Sequence, residues 1–143
     1  MISKLFEAIT TTATLLLTTS SAYAVQIGDP VGDFLQTYAG DKGADLDVVL
    51  ADGTINPNKV FTFTATMNGK IGRASGGLYV WGFDRGQGAA LFANDGIDNV
   101  FFDSVLVATS TGEGTINYIS EGGSTILPSG SIKISGSDIS VKV

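Results

Sequence analysis

The chain has 143 residues with no cysteine and no histidine, a formal net charge of −6, and 43% hydrophobic against 15% charged residues. Without cysteine there is no disulfide stapling or thiol chemistry, and without histidine the commonest proton shuttle and metal ligand is gone. An acidic chain with no Lys/Arg cluster is repelled by phosphate backbones, which excludes nucleic-acid partners, and this hydrophobic content excludes wholesale disorder.

Residues 1–24 read as a secretory signal peptide: Lys4 at the start, an apolar stretch over residues 8–17, and the small-x-small site Ala22-Tyr23-Ala24. That stretch is too short and too Thr-rich to span a bilayer of roughly 30 Å, and no later segment comes closer. The expected product is a single domain over residues 25–143, secreted or periplasmic, with no membrane span. All 19 glycines fall in it. Short β-branched runs between Gly-containing turns predict an all-β antiparallel sandwich of about seven to eight strands.

In chain order, residues 25–41 carry Val31, Phe34, Leu35 and Tyr38 among turn residues and are expected as an irregular lead-in that packs its aromatics on the sheet. A first short strand is expected over 46–50. Residues 60–67 alternate, with Phe61, Phe63, Ala65 and Met67 on one face and Thr62, Thr64 and Thr66 on the other; Asn68-Gly69 then signals a tight turn. Residues 77–83 carry Leu78 and Val80 on one face and Tyr79, Trp81 and Phe83 on the other, which predicts a central strand covered on both sides. Residues 99–108 form a strand bent at Asp103-Ser104, and 114–119 another. Ile132 and Ile134, a Gly136-Ser137 turn, then Ile139, Val141 and Val143 predict a C-terminal hairpin.

The run Leu78-Tyr79-Val80-Trp81-Gly82-Phe83-Asp84-Arg85-Gly86-Gln87-Gly88 resembles a family of uncharacterised exported bacterial proteins. The order of a Gly-Asp opening (Asp29 to Asp33), an Asp45-Leu46-Asp47 strand, the Tyr-x-Trp strand and a later Phe102-Asp103 strand is similar to DOMON-like and family-9-like carbohydrate-binding β-sandwiches. That likeness implies a sandwich fold and sugar binding. Two departures matter. Cytochrome-type DOMON domains ligate haem through Met and His, and this chain has no histidine. Related sequences also continue past the last Ile-x-Val-x-Val strand, so the fold is expected to be one closing strand short.

The candidate chemistry follows from what is left. No Gly-x-Ser-x-Gly or Ser-x-x-Lys motif is present, and the only available bases are carboxylates, such as Asp45 with Asp47, or Asp84 with another aspartate. A non-enzymatic module is therefore expected. Its ligand-binding residues are expected to be Asp84, Arg85 and Gln87 on a Gly-rich loop at one end of the sandwich, with Tyr79 and Trp81 as aromatic candidates whose alternative place is the core. The expected partner is a glycan or another envelope component. Eleven Asp against two Glu beyond residue 24 supply hard oxygens, so Asp95, Asp98, Asn99 and Asp103 are the candidate ligands of a structural Ca²⁺; ordinary Asx-turns would give the same composition. The alternative function is a structural subunit of an extracellular matrix or surface that self-associates through an exposed C-terminal strand, with Lys142 as its only charge.

Overall fold

The computed structural model describes residues 23–89 and 99–143. These contain no helix and nine antiparallel strands: β1 (Tyr23–Gly28), β2 (Val48–Ile55), β3 (Phe61–Met67), β4 (Leu78–Phe83), β5 (Ser104–Thr109), β6 (Gly114–Tyr118), β7 (Ser124–Ile126), β8 (Ile132–Ser135) and β9 (Asp138–Lys142). One sheet has the order β1-β2-β3-β9-β8 and the other β4-β5-β6-β7. Facing one another, they form the expected all-β sandwich. Residues 1–22 of the expected signal peptide lie outside the described residues, as do Asp95 and Asp98.

Period-two alternation puts the core where the two inner faces meet. Ala65 and Met67 from β3, Tyr79 from β4, Leu106 and Ala108 from β5, and Ile139 and Val141 from β9 are all buried in one cluster with Ile132. Leu106 and Val141 are wholly inaccessible, and each such side chain contributes about 1.5–3 kcal/mol of burial. The C-terminal hairpin is as expected, turning on Gly136 at φ 65, which a two-residue turn needs at its first central position. The chain also breaks at Asp103 before β5 begins at Ser104.

Several expectations are corrected. The lead-in is not wholly irregular, because residues 23–28 pair with β2. Its side chains Val25 and Ile27 stay exposed, so little hydrophobic pattern marks the strand. β2 runs on to Ile55, past where the apolar run stops, and turns into β3 through Asn56, whose Oδ1 accepts from the Asn58 and Val60 amides. Asn68-Gly69 makes no left-handed turn. Both amides instead bond back to the segment just before β2, Asn68 to Asp47 O and Gly69 to Ala44 O, as the chain crosses to the other sheet.

β4 is an edge strand and not a central one. Tyr79, Trp81 and Phe83 face inward, whereas Leu78 and Val80 are both 56% exposed on the outer face. The C-terminal strand is the reverse case: β9 lies between β3 and β8, paired on both sides, and offers no free edge. Self-association through that strand would need one of these two pairs to open.

Candidate functional site

β4 carries the chain from one end of the sandwich to the other and delivers Asp84 and Arg85 to a loop over the far end. Asp84 shapes that loop locally, its Oδ1 accepting from the Gly86 and Gly88 amides at 2.7 and 3.0 Å. Asp103 holds it from beneath. Its Oδ2 accepts from the Arg85 and Gln87 amides, and its Oδ1 from Arg85 Nε at 3.1 Å and Ser104 Oγ at 2.9 Å. Ser104 Oγ also accepts from Arg85 Nε at 2.8 Å. Asp103 and Ser104 are wholly buried. Burial pushes the Asp103 carboxyl pKa up, but the donors from Ser104, Arg85 and Gln87 outweigh it and hold the group below the ordinary range.

Arg85 is clamped on three sides. Besides Asp103, its Nη2 lies 3.3 Å from Glu121 Oε1, and its guanidinium sits 5.1 Å over the Tyr118 ring. The Asp103 bond is the leading reason its pKa is raised still further. Ser120 Oγ adds a bond to Gln87 O, tying the loop to the β6–β7 turn.

Beside this loop the two sheets part, leaving a cleft of about 510 Å³ lined by Phe61, Phe63, Phe83, Ile116, Tyr118 and Val143, with Asp84 and Arg85 at its mouth. Phe63 is the hub of the aromatic wall. It stacks on Phe61 at 6.1 Å and on Phe83 at 5.9 Å, and meets Trp81 tilted at 6.5 Å. Phe61 is 44% exposed, so one flat ring is open to a ligand. Two carboxylates, Asp103 and Glu121, hold the one guanidinium and Asp84 adds a third negative charge on the same loop, which leaves this end net negative and unsuited to an anion.

Of the residues expected to bind ligand, Asp84 and Arg85 therefore line a cleft, and Gln87 is exposed on the same loop with its backbone bonded on both sides. Tyr79 and Trp81 do not line it. Tyr79 is buried near the opposite end, beside Gly72 and Asp45, and Trp81 is half-buried against the core. Of the proposed Ca²⁺ ligands, Asn99 is exposed with φ 58, and Asp103 has both oxygens engaged by four donors, so it cannot take a cation without losing the loop. Among the described residues no three carboxylates converge on a point where a metal ion could sit.

The catalytic alternative for Asp45 and Asp47 meets a similar fact. Asp45 Oδ2 accepts from the Arg73 and Ala74 amides at 2.7 Å each, and Asp47 accepts from Gly32 N and Asn68 Nδ2. Both are buried. The Ala74 amide, chiefly, holds the Asp45 pKa below the ordinary range, the opposite of what a general acid needs.

Sequence reasoning missed Glu121, Ser120, Ile116 and Tyr118 as neighbours of the loop. The alternation of Phe61 with Phe63 and of Ile116 with Tyr118 was the available signal, since it points both pairs inward. Nothing in the sequence said that the sheets part there. The chain matches no protein-family model, no curated protein and no solved structure.

Proposed function

We propose that the chain is an exported, non-enzymatic binding module that seats a neutral saccharide of an extracellular or envelope glycan in the cleft beneath the 84–88 loop. The observation that carries this reading is the wall of stacked phenyl rings meeting Asp84 and Arg85 at one mouth. A sugar ring presents a C–H face that packs on an aromatic plane and a hydroxyl rim that bonds to carboxylate and guanidinium. Asp84 Oδ2 and the outer nitrogens of Arg85 supply those polar partners without any change in the loop. Its internal bonds favour preorganised recognition, because little ordering entropy is lost on binding. The net negative mouth argues for a neutral glycan over an acidic one.

Trp81 touches Phe63, so its emission reports on the cleft. Titration with neutral oligosaccharides should shift that emission saturably, and Phe61→Ala should abolish the shift while the protein stays folded. No change in emission and no perturbed amide resonances in the 84–88 loop at millimolar oligosaccharide would sink the proposal.

A further inference from the structure

We propose that the chain forms a two-fold dimer in which β1 of each copy pairs with the edge of β4 in the other, joining the two sandwiches into continuous sheets. Among the described residues one sheet has five strands and the other four. The sandwich is closed on one side, where the short edges β7 and β8 are joined directly through residues 127–131 with Leu127 buried between them. On the other side β1 overhangs. Val25 and Ile27 pair with Gly53 and Ala51, and Ala51 pairs in turn with Ala65 of the core. The two side chains therefore point to the inner face, yet they are 64% and 62% exposed because the opposite sheet stops at β4.

Among the described residues both free edges carry no charge, the profile of an edge that natural sheets keep covered: β4 is six residues long, and β1 keeps four, residues 25–28, once the expected signal peptide is removed. The slot beside β4 is already shaped. Two depressions share Leu46, Leu78 and Val80 as lining: one of about 300 Å³ lies over Val48 and Ala51 on the inner face of β2, and one of about 520 Å³ is bounded on its far side by Phe34, Leu35 and Tyr38 of the lead-in.

A second copy fits because the overhang of one molecule matches the vacancy of the other. Rotation by a half-turn about an axis along the strands, midway between the layers, brings β1 beside the partner's β4 in the same layer. Phe61 and Phe83 meet at one end of the sandwich, and Met67 and Tyr79 near the other, so β4 runs antiparallel to β3 and hence to β1. The rotation preserves direction, and both new pairs are antiparallel like every pair in the fold. The interface is isologous and closes on itself, which a head-to-tail contact would not. With residues 25–28 in each new pair the paired edges are about 13 Å long, which makes the interface smaller than the standard size and the dimer a weak one.

The expected behaviour is a monomer–dimer equilibrium in sedimentation at micromolar concentrations or above. Two copies of charge −6 repel, so raising NaCl from about 50 to about 500 mM should strengthen the dimer. Val25→Lys with Ile27→Lys, at positions already in water, should weaken dimerisation at least about tenfold. A cross-link tests the pairing apart from that variant's folding. The chain has no cysteine, so Gln26→Cys and Val80→Cys, both on outer faces, can be mixed and treated with a short bismaleimide. The proposed pairing gives a cross-linked heterodimer. A monomer at all concentrations to about 200 µM overturns the proposal. So does a Gln26→Cys protein that cross-links mainly to itself, or a dimer indifferent to the two lysines in a variant that melts like the parent.

Discussion

The two ends of the sandwich are both tied by aspartates withdrawn from water, but the ties differ in kind. At the end where β4 begins, Asp45 and Asp47 gather the lead-in and the crossover through the amides of Arg73, Ala74 and Gly32 and the side chain of Asn68. No cation takes part in those bonds, and the corner is sealed. At the end where β4 stops, Asp103 uses amides too, but it also recruits the Arg85 side chain, which is half in solvent and shared with Glu121 and Tyr118. That corner borders an open aromatic cleft. A buried carboxylate is thus a loop anchor in both places, and only the second anchor also fixes a charged group facing solvent.

The largest effect expected from this comparison is at Asp103. Asp103→Ala strands the Arg85 and Gln87 amides and leaves Ser104 Oγ and Arg85 Nε with only each other beneath the loop, and should destabilise more than any change at the other corner. Asp45→Ala strands two amides, at about 1–3 kcal/mol each, and should cost about 2–5 kcal/mol. Thermal melts of the two variants measure the order directly. If Asp45→Ala is the more damaging, the crossover and not the Arg85 loop is the keystone of the fold.

Acid should act on both corners together. Asp45 and Asp103 have folded pKa values below their ordinary 3.8, so each contributes stability that is complete above the unfolded value and is lost as pH falls through the folded one. Denaturant midpoints should be flat from about pH 5 to 8 and drop steeply below about pH 4. In Asp103→Asn the acid slope should shrink to the share that Asp45 carries, whereas a slope unchanged from the parent would mean that the Arg85 corner carries little of it.

The cleft should separate binding from stability. Phe61→Ala removes a ring that is 44% exposed at the mouth and should cost no more than about 1 kcal/mol, against about 3–5 kcal/mol for a fully buried aromatic. Saccharide binding should nonetheless disappear. Leu46 packs against the core at the other corner and lines no part of this cleft, so Leu46→Ala should change melting and leave binding alone. Equal binding losses in the two variants would show a global effect in place of a site.

What could be read from the sequence follows from where the physics is local. The alternation in residues 60–67 and the hairpin over 132–143 are period-two patterns with one buried face, and both were legible. So was the bend at Asp103-Ser104, because a polar pair interrupts an apolar run. The edge position of β4 was not legible: Leu78 and Val80 are as apolar as covered residues, yet they stay 56% exposed on a depression they share with Phe34, Leu35 and Tyr38. β1 escaped for the same reason, and β7 because three exposed residues carry no pattern. At the site, Asp84, Arg85 and Gln87 were found from loop composition, but Asp103 was read as a metal ligand because sequence cannot tell a carboxylate that accepts amides from one that awaits a cation.

The smallest effects expected lie at the sealed corner, where two groups sit in mildly unfavourable places. The Tyr79 hydroxyl is buried with no well-formed hydrogen bond; burial first, then the nearby charge of Asp45, raises its pKa, and the adjacent Gly72 amide offsets only part of this. Tyr79→Phe removes a desolvated oxygen that gains nothing in return, so the melt should stay within about 1 kcal/mol of the parent or rise. Asp29 is held above its ordinary pKa by partial burial and by the charges of Asp33 and Asp47. The sign is the reverse of that at Asp45: the folded state binds the proton more tightly than the unfolded one, so this group opposes folding at neutral pH and the penalty fades as pH falls through its folded value. Asp29→Asn should therefore stabilise slightly at pH 7, with the gain vanishing near pH 3. A variant that loses stability at pH 7 would mean that Asp29 accepts a hydrogen bond the lead-in needs, and the corner would then hold three working aspartates in place of two.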